Sequence, residues 1–80
     1  MMKWHNDKPP IGTHILARIS HPDYSTSPFY YMVVRPKNNP DEVVEAGGEG
    51  YWSFNVNYIQ AYVTEKEIEE NFQRGYDNVD

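Results

Sequence analysis

Residues 15, 17 and 19 are apolar, with Leu16 and Arg18 between them, which predicts a β-strand over residues 14–20 with one buried face. Ile15, Ala17 and Ile19 share that face by the two-residue period of a strand, and the residues between them face the other way. The preceding segment, residues 8–12, contains two prolines and a glycine. Because proline fixes φ and glycine tolerates unusual dihedrals, this segment predicts a turn that leads into the strand.

The densest run of β-forming residues follows at 29–35, with the sequence Phe-Tyr-Tyr-Met-Val-Val-Arg. Its flanks, residues 21–28 and 36–41, are rich in proline, serine and asparagine, which interrupt strands. Apolar side chains on both faces are typical of a central strand, so we expect this strand in the middle of the sheet, covered on each side.

Residues 42–46 predict a short strand, and the glycine cluster at 47–50 that follows predicts a hairpin loop. A phosphate-binding loop would require a Lys-Ser/Thr pair and a helix after the glycines, and Tyr51-Trp52 stands there instead. The glycines therefore indicate a turn between two strands.

The hydrophobic pattern changes phase in the next segment. Trp52, Phe54 and Val56 share one parity, whereas Ile59, Ala61 and Val63 share the opposite one. A shift of one residue turns every side chain to the other face of a sheet. We therefore expect a bulge or tight turn in residues 55–58, with Ile59, Ala61 and Val63 together on one face beyond it.

Thr64 and Glu67 form the sequence pattern of a capping box, in which each side chain accepts a hydrogen bond from the other residue's backbone N–H. A helix is predicted to begin there. Ile68 and Phe72 lie four residues apart, so both should face the sheet, and Arg74-Gly75 suits the end of the helix. Residues 77–80 should form a frayed tail.

Together these elements predict an α+β fold: a four- to five-stranded, mainly antiparallel, twisted sheet or partial barrel with one C-terminal helix. The chain of 80 residues is too short for two cores, so we expect one domain over 1–80, with its core in about residues 4–76. Without cysteine, packing alone must stabilise this core, and twelve aromatic residues are available for it.

Charge is distributed unevenly along the chain. Residues 1–40 hold five Lys/Arg and two acidic residues, whereas residues 41–80 hold ten acidic residues and two Lys/Arg. An acidic protein lacks the basic stripe that binds phosphates, so we expect a protein partner with a basic surface and no direct nucleic-acid contact. The sequence contains neither a membrane-spanning run nor a signal-peptide pattern, and a cytoplasmic location is expected.

No motif for catalysis or metal binding is present. His5, His14 and His21 lack the spacing of metal ligands, and no serine lies in a nucleophile elbow. The carboxylates of residues 41–49 are best interpreted as a solvated acidic face. We therefore expect a non-enzymatic protein that requires no cofactor or metal.

A protein-binding surface is the leading hypothesis, since aromatic residues exceed what a small core needs and tyrosine is enriched at interfaces. Some tyrosines must lie on outward strand faces, and helix glutamates could contact a basic groove. The expected contact residues are Glu65, Glu67, Glu69, Glu70, Tyr30, Tyr51, Tyr58 and Tyr62, with Tyr24 as a further tyrosine.

Two alternatives remain open at this point. One is a structural protein that assembles with further copies through an exposed sheet edge, which would also help a small core. The other is a small enzyme or ligand-binding protein that uses His14 or His21.

Trp4, Pro9-Pro10, Gly12 and Leu16, followed much later by Tyr51-Trp52 and a final β run, form a pattern across residues 4–63. This pattern resembles a group of small phage and prophage proteins of unknown function. The resemblance implies a phage accessory protein that acts in the host cytoplasm. It further implies that such a protein would bind and inhibit a host enzyme or defence complex.

Overall fold

The protein is described by a computed structural model that covers residues 3–23, 26–48 and 52–77, with the backbone alone for 73–77. Five strands precede one helix, in the order that the hydrophobic pattern predicts. The elements are β1 (His14–Ile19), β2 (Phe29–Val34), β3 (Glu42–Glu45), β4 (Ser53–Asn55), a 3-10 turn (Val56–Tyr58), β5 (Ile59–Thr64) and α1 (Glu65–Asp77).

The strands form a single antiparallel sheet with the order β4-β3-β2-β1-β5. β2 lies in the middle, as its composition predicts. The α+β fold with a five-stranded antiparallel sheet and one C-terminal helix is thereby confirmed.

The sheet is strongly curled because its two edge strands are consecutive in the chain. Only the 3-10 turn connects β4 to β5, although they lie at opposite edges of the sheet. Phe54 of β4 accordingly contacts the rings of Phe29 in β2 and His21 after β1, at centroid distances of 5.8 and 5.5 Å. These contacts cross strands that are not neighbours, so the sheet forms a partial barrel.

The core lies on the concave face of this sheet. Ile15, Ala17 and Ile19 have no exposed surface, which confirms the face predicted from their alternation. Val33 and Val43 from the neighbouring strands are equally buried. Burial of each of these isoleucine and valine side chains stabilises the fold by about 1.5–3 kcal/mol.

A turn in residues 55–58 is confirmed and takes the form of the 3-10 turn. The side-chain oxygen of Asn55 accepts a hydrogen bond from the backbone N–H of Asn57 at 2.9 Å and so caps the turn. Asn55 thus stabilises the place where the hydrophobic phase changes.

A second change of phase, at Gln60, contradicts the predicted faces of β5. Ile19 pairs with Ile59, but the preceding residue Arg18 pairs with Ala61, so Gln60 is an extra residue in β5. Ile59 therefore packs against the concave core, whereas Ala61 and Val63 face the other side. The expectation that these three residues share one face is wrong.

The expectation that β2 is covered on both faces is also wrong. Tyr30 and Tyr31 point to opposite faces by the strand period, and they are 54 % and 40 % exposed. Val33 is the fully buried residue of this strand, and Phe29 at the other end of the same face is partly buried against the core.

The helix α1 begins with the predicted capping box. The backbone N–H of Glu67 donates to Thr64 Oγ1 at 3.1 Å, and the backbone N–H of Thr64 donates to Glu67 Oε1 at 2.9 Å. The helix continues through Gly75 to Asp77, two residues past the predicted end, and Asp77 is therefore helical where a frayed tail was expected. The rest of the predicted tail, residues 78–80, lies outside the described residues.

The N-terminal strap, residues 3–12, wraps around one end of the sheet. His5 exchanges both backbone hydrogen bonds with Tyr62 on the free side of β5, and Gly12 donates its N–H to the Arg35 carbonyl beyond β2. Gly12 has a φ of +81°, which glycine adopts without strain, so the predicted turn before β1 is confirmed.

Candidate protein-binding surface

The glutamates of α1 divide into an exposed set and one structural residue. Glu65, Glu69 and Glu70 are exposed on the helix surface, as a contact role requires. Glu67 faces inward and only 29 % of its side chain is exposed. The helix therefore presents three of the four expected contact glutamates to solvent.

Glu67 instead connects three parts of the chain. Its carboxylate accepts hydrogen bonds from the backbone and hydroxyl of Thr64, and both of its oxygens lie 3.0 Å from His5 Nε2 in the strap. The backbone N–H of Thr64, followed by the His5 imidazole, holds the pKa of the Glu67 carboxyl below its ordinary value. Glu67 thus stabilises the helix start and its contact with the strap.

Glu65 makes a looser contact of the same kind. Its carboxylate lies 3.1 Å from His14 Nδ1 at the start of β1, and both side chains are about half exposed. Exposed pairs of this type contribute little to stability. Glu65 is therefore still accessible to a partner.

Phe72 is the most exposed large apolar residue described, with 69 % of its surface accessible. Ile68, one turn earlier, is half-buried, as the helical spacing predicts. The expectation that Phe72 also faces the sheet is wrong. The helix packs against β1 and β5 with Ile68 half-buried, whereas the Phe72 side chain is largely in contact with solvent.

The tyrosines expected at the surface lie in different environments. Tyr30 is exposed on the convex face, and Tyr58 is half-buried in the 3-10 turn, 4.3 Å from the ring of His21. Tyr51, like Tyr24, lies outside the described residues. The expected tyrosines that the structure describes therefore do not share one environment.

Tyr62 was expected to face outward and is instead 4 % exposed. The extra residue Gln60 rotates it onto the concave face, where it pairs with Ala17. Its hydroxyl donates to Asp7 of the strap at 3.0 Å, and burial, followed by this hydrogen bond, raises the pKa of Tyr62. Tyr62 is a core residue that supports the strap.

On the convex face, Trp4 and Tyr30 form an edge-to-face pair with ring centroids 5.8 Å apart. His5, the neighbour of Trp4, pairs with the free side of β5, and Tyr30 lies in β2. The Trp4 and Tyr30 side chains therefore extend towards each other across β5 and β1. Trp4 remains 38 % exposed. Sequence reasoning did not include Trp4 among the contact residues, because its pairing with Tyr30 depends on where the strap lies.

On the concave side, a series of aromatic rings continues from the core to the surface. We name this series the aromatic strip; its members are Tyr31, Trp52, Phe54, Phe29, His21 and Tyr58. The hydroxyl of Tyr31 donates to Glu45 at 3.2 Å, and the negative charge of Glu45 raises the pKa of Tyr31. Tyr31 was not among the expected contact residues, although its place directly after two aromatic residues, Phe29 and Tyr30, was a usable signal.

Each histidine has a partner in the structure. His5 and His14 contact helix glutamates, and His21 accepts a hydrogen bond from the backbone N–H of Asp23 at 3.2 Å. Within residues 3–23, 26–48 and 52–77, no three His, Asp or Glu side chains are grouped so that they could hold a metal ion. No helix in this part of the chain is both long enough and apolar enough to cross a membrane.

Comparison with known proteins adds no assignment. No protein-family model, curated protein or solved structure matches this chain.

Proposed function

We propose that this protein is a non-enzymatic protein-binding domain whose contact surface is the exposed part of α1 that includes Glu69, Glu70 and Phe72. The observation that carries the proposal is the 69 % exposure of Phe72 on a helix that also exposes Glu69 and Glu70. Phe72 is one turn from Glu69 on the helix surface, so an apolar side chain lies directly beside a carboxylate.

This combination fits a partner that offers an apolar pocket with a basic rim. Helices commonly bind by inserting apolar anchors into a groove, and a buried aromatic anchor supplies much of the binding energy. The glutamates around it would speed association with a basic surface and select against acidic ones. The uneven charge of the chain, with ten acidic residues in its second half, supports the same kind of partner.

Inhibition of a host enzyme or defence complex, which the family resemblance implies, remains a prediction under this proposal. Inhibition requires that the basic rim on the host protein lie at its active or functional site. The proposal itself requires only that the helix bind.

Self-assembly through a sheet edge has less support. The edge strand β4 has only three residues, and short edge strands are poor templates for pairing. At the other edge, Tyr62 in the middle of β5 is already hydrogen-bonded to His5 of the strap. These features leave little open edge in the described part of the sheet.

The test is capture of partners by the immobilised protein, comparing the native chain with Glu69→Lys/Glu70→Lys and with Phe72→Ser. A matched control, Asp41→Lys/Glu42→Lys, changes net charge equally at the start of β3, whose first residue is Glu42. We expect one partner to bind the native chain and the control, to bind the helix variants at least about tenfold less, and to dissociate as salt rises.

Circular dichroism would establish that each variant is folded. Equal capture by the native chain and both helix variants would contradict the proposal. Recovery of the protein itself in place of another protein would favour self-assembly, which light scattering measures directly.

A further inference from the structure

The aromatic strip provides a second surface, separate from α1. Phe54 is its buried centre, with 6 % of its surface exposed, and Trp52 and His21 contact it at centroid distances of 5.0 and 5.5 Å. Tyr31 continues the strip beyond Trp52 at 5.1 Å, and Tyr58 continues it beyond His21 at 4.3 Å. The rings therefore form one connected series, with four ring-to-ring steps from Tyr31 to Tyr58.

The outer rings of the strip keep part of their surface in water. Tyr31 is 40 % exposed, and Trp52, Phe29, His21 and Tyr58 are each partly exposed over the buried Phe54. This arrangement, with partly exposed rings packed over the buried Phe54, resembles the centres of protein interfaces. There, packing beneath the contact holds the side chains in position. Because the rings are fixed by their neighbours, a ligand would lose little free energy in ordering them.

Acidic residues lie beside two rings of the strip. Glu45 accepts a hydrogen bond from the Tyr31 hydroxyl, and the backbone N–H of Asp23 donates to His21 Nδ1. The nearest strand cations are directed elsewhere: Arg18 is on the convex face, and Arg35 donates to the carbonyls of Pro9 and Pro40 at the far end of β2. The charge around the strip therefore complements a cationic ligand.

We propose that the aromatic strip binds an extended, proline-containing peptide segment that carries a basic residue. Proline rings pack well on aromatic faces, and a polyproline II segment is already extended, so its binding costs little conformational entropy. The basic residue pairs with Glu45 or Asp23.

Single-stranded nucleic acid could also stack on aromatic rings, but it requires a basic groove that follows its phosphates. The Glu45 carboxylate beside Tyr31, and the acidic residue Asp23 next to His21, oppose such a ligand. A nucleic-acid probe consequently belongs among the controls.

The experiment uses the full chain with Trp4→Phe, which leaves Trp52 as the sole tryptophan, since the chain has two. Its fluorescence then reports on the strip alone. The probe is a synthetic peptide of six prolines between two arginines. Comparison peptides have glutamates in place of the arginines, or alternating glycine and serine in place of the prolines, and an oligothymidine provides the nucleic-acid control.

We expect saturable quenching or a spectral shift with the arginine–proline peptide, and binding at least about fivefold weaker for the glutamate peptide. Glu45→Gln should reduce that difference, because it removes the charge and keeps the shape of the side chain. Tyr31→Ala should weaken binding by about tenfold without removing a buried residue. Two-dimensional NMR should place the shifted amides in the strip.

The proposal is overturned if the arginine–proline peptide gives no saturable change at millimolar concentration. It is also overturned if the glycine–serine peptide or the oligothymidine binds equally well. Because the helix variants Glu69→Lys/Glu70→Lys leave the strip intact, they should bind the peptide normally. Failure of the helix proposal and failure of the strip proposal are therefore distinguishable.

Discussion

His5 and Glu67 are 62 residues apart in the chain, yet the His5 Nε2 atom lies 3.0 Å from both carboxylate oxygens of Glu67. The contact fastens the N-terminal strap to the first turn of α1. Since Glu67 also accepts from Thr64, one carboxylate serves as helix cap and as the end point of a long-range contact. The strap, β5 and the helix are thus energetically linked.

Replacing His5 with alanine should therefore lower the free energy of unfolding. A half-buried hydrogen bond to a carboxylate contributes about 1–2 kcal/mol, and its loss would also loosen the strap. His14→Ala is the matched control, because the His14–Glu65 pair is more exposed and should contribute less than about 0.5 kcal/mol. Urea denaturation measures both. Equal losses for the two variants would show that His5 is no more important than a surface contact.

The acid stability of the fold should depend on Glu67. Its pKa is lowered in the folded state from an ordinary value of 4.5, so the carboxylate stabilises the fold at pH values above that value. This contribution is lost as the pH falls through the folded-state pKa. Glutamine can still complete a capping box, so Glu67→Gln should fold but show a smaller decline in stability on acidification.

Glu69→Gln provides the comparison, since Glu69 is exposed in the same helix. Urea denaturation at a series of pH values between neutrality and about pH 3 would measure all three chains. A decline that is as steep in Glu67→Gln as in the native chain would rule out this carboxylate as the acid-sensitive group.

Burial of Tyr62 can be tested against exposure of Tyr30. Tyr62→Ala removes a core aromatic ring and should cost about 3–5 kcal/mol, with the fold severely weakened. Tyr30→Ala removes an exposed ring and should cost about 1 kcal/mol or less. Thermal or urea unfolding distinguishes these values. Similar costs at the two positions would mean that Tyr62 does not lie in the core.

Alkaline titration should separate the tyrosines. The pKa values of Tyr62 and Tyr31 are raised above the ordinary 10.0, by burial in one case and by the charge of Glu45 in the other. Both hydroxyls should therefore ionise above pH 10.0, as followed by phenolate absorbance. Because its pKa is raised on folding, Tyr62 stabilises the fold below pH 10.0, and this contribution is lost as the pH rises through the folded-state pKa.

Tyr62→Phe should therefore be less stable near neutrality, where the hydrogen bond to Asp7 is lost, and should lose less of its remaining stability in alkali. Tyr31→Phe is the control for the exposed hydroxyl. If Tyr62→Phe declined in alkali as steeply as the native chain, another group would be responsible.

Local signals in the sequence were sufficient for several elements. The alternation around Ala17 predicted the buried face of β1, and the change of phase after Val56 predicted the turn that the 3-10 segment forms. Thr64 and Glu67 predicted the start of α1. Each of these patterns is stabilised by neighbours within a few residues, so the sequence alone contains the required information.

The candidate contact residues were harder to predict. Tyr62 faces the core because Gln60 is an extra residue in β5, opposite β1. This bulge comes soon after the turn that takes the chain from β4 at one edge of the sheet to β5 at the other edge. Phe72 is largely exposed, although Ile68 one turn earlier is half-buried. Both environments depend on how β5 and α1 pack against the rest of the sheet, so propensity and periodicity gave the wrong environment for both.

By itself, then, the sequence determined which segments are strands, where the helix begins and which face of β1 is apolar, because these follow from hydrogen bonding and side-chain period over short stretches. Only the tertiary structure decided which aromatic residues meet. Closure of the sheet brings Phe54 against Phe29 and His21, and the strap carries Trp4 to Tyr30 and His5 to Glu67. These contacts join residues far apart in the chain, and they exist only when the whole sheet has formed.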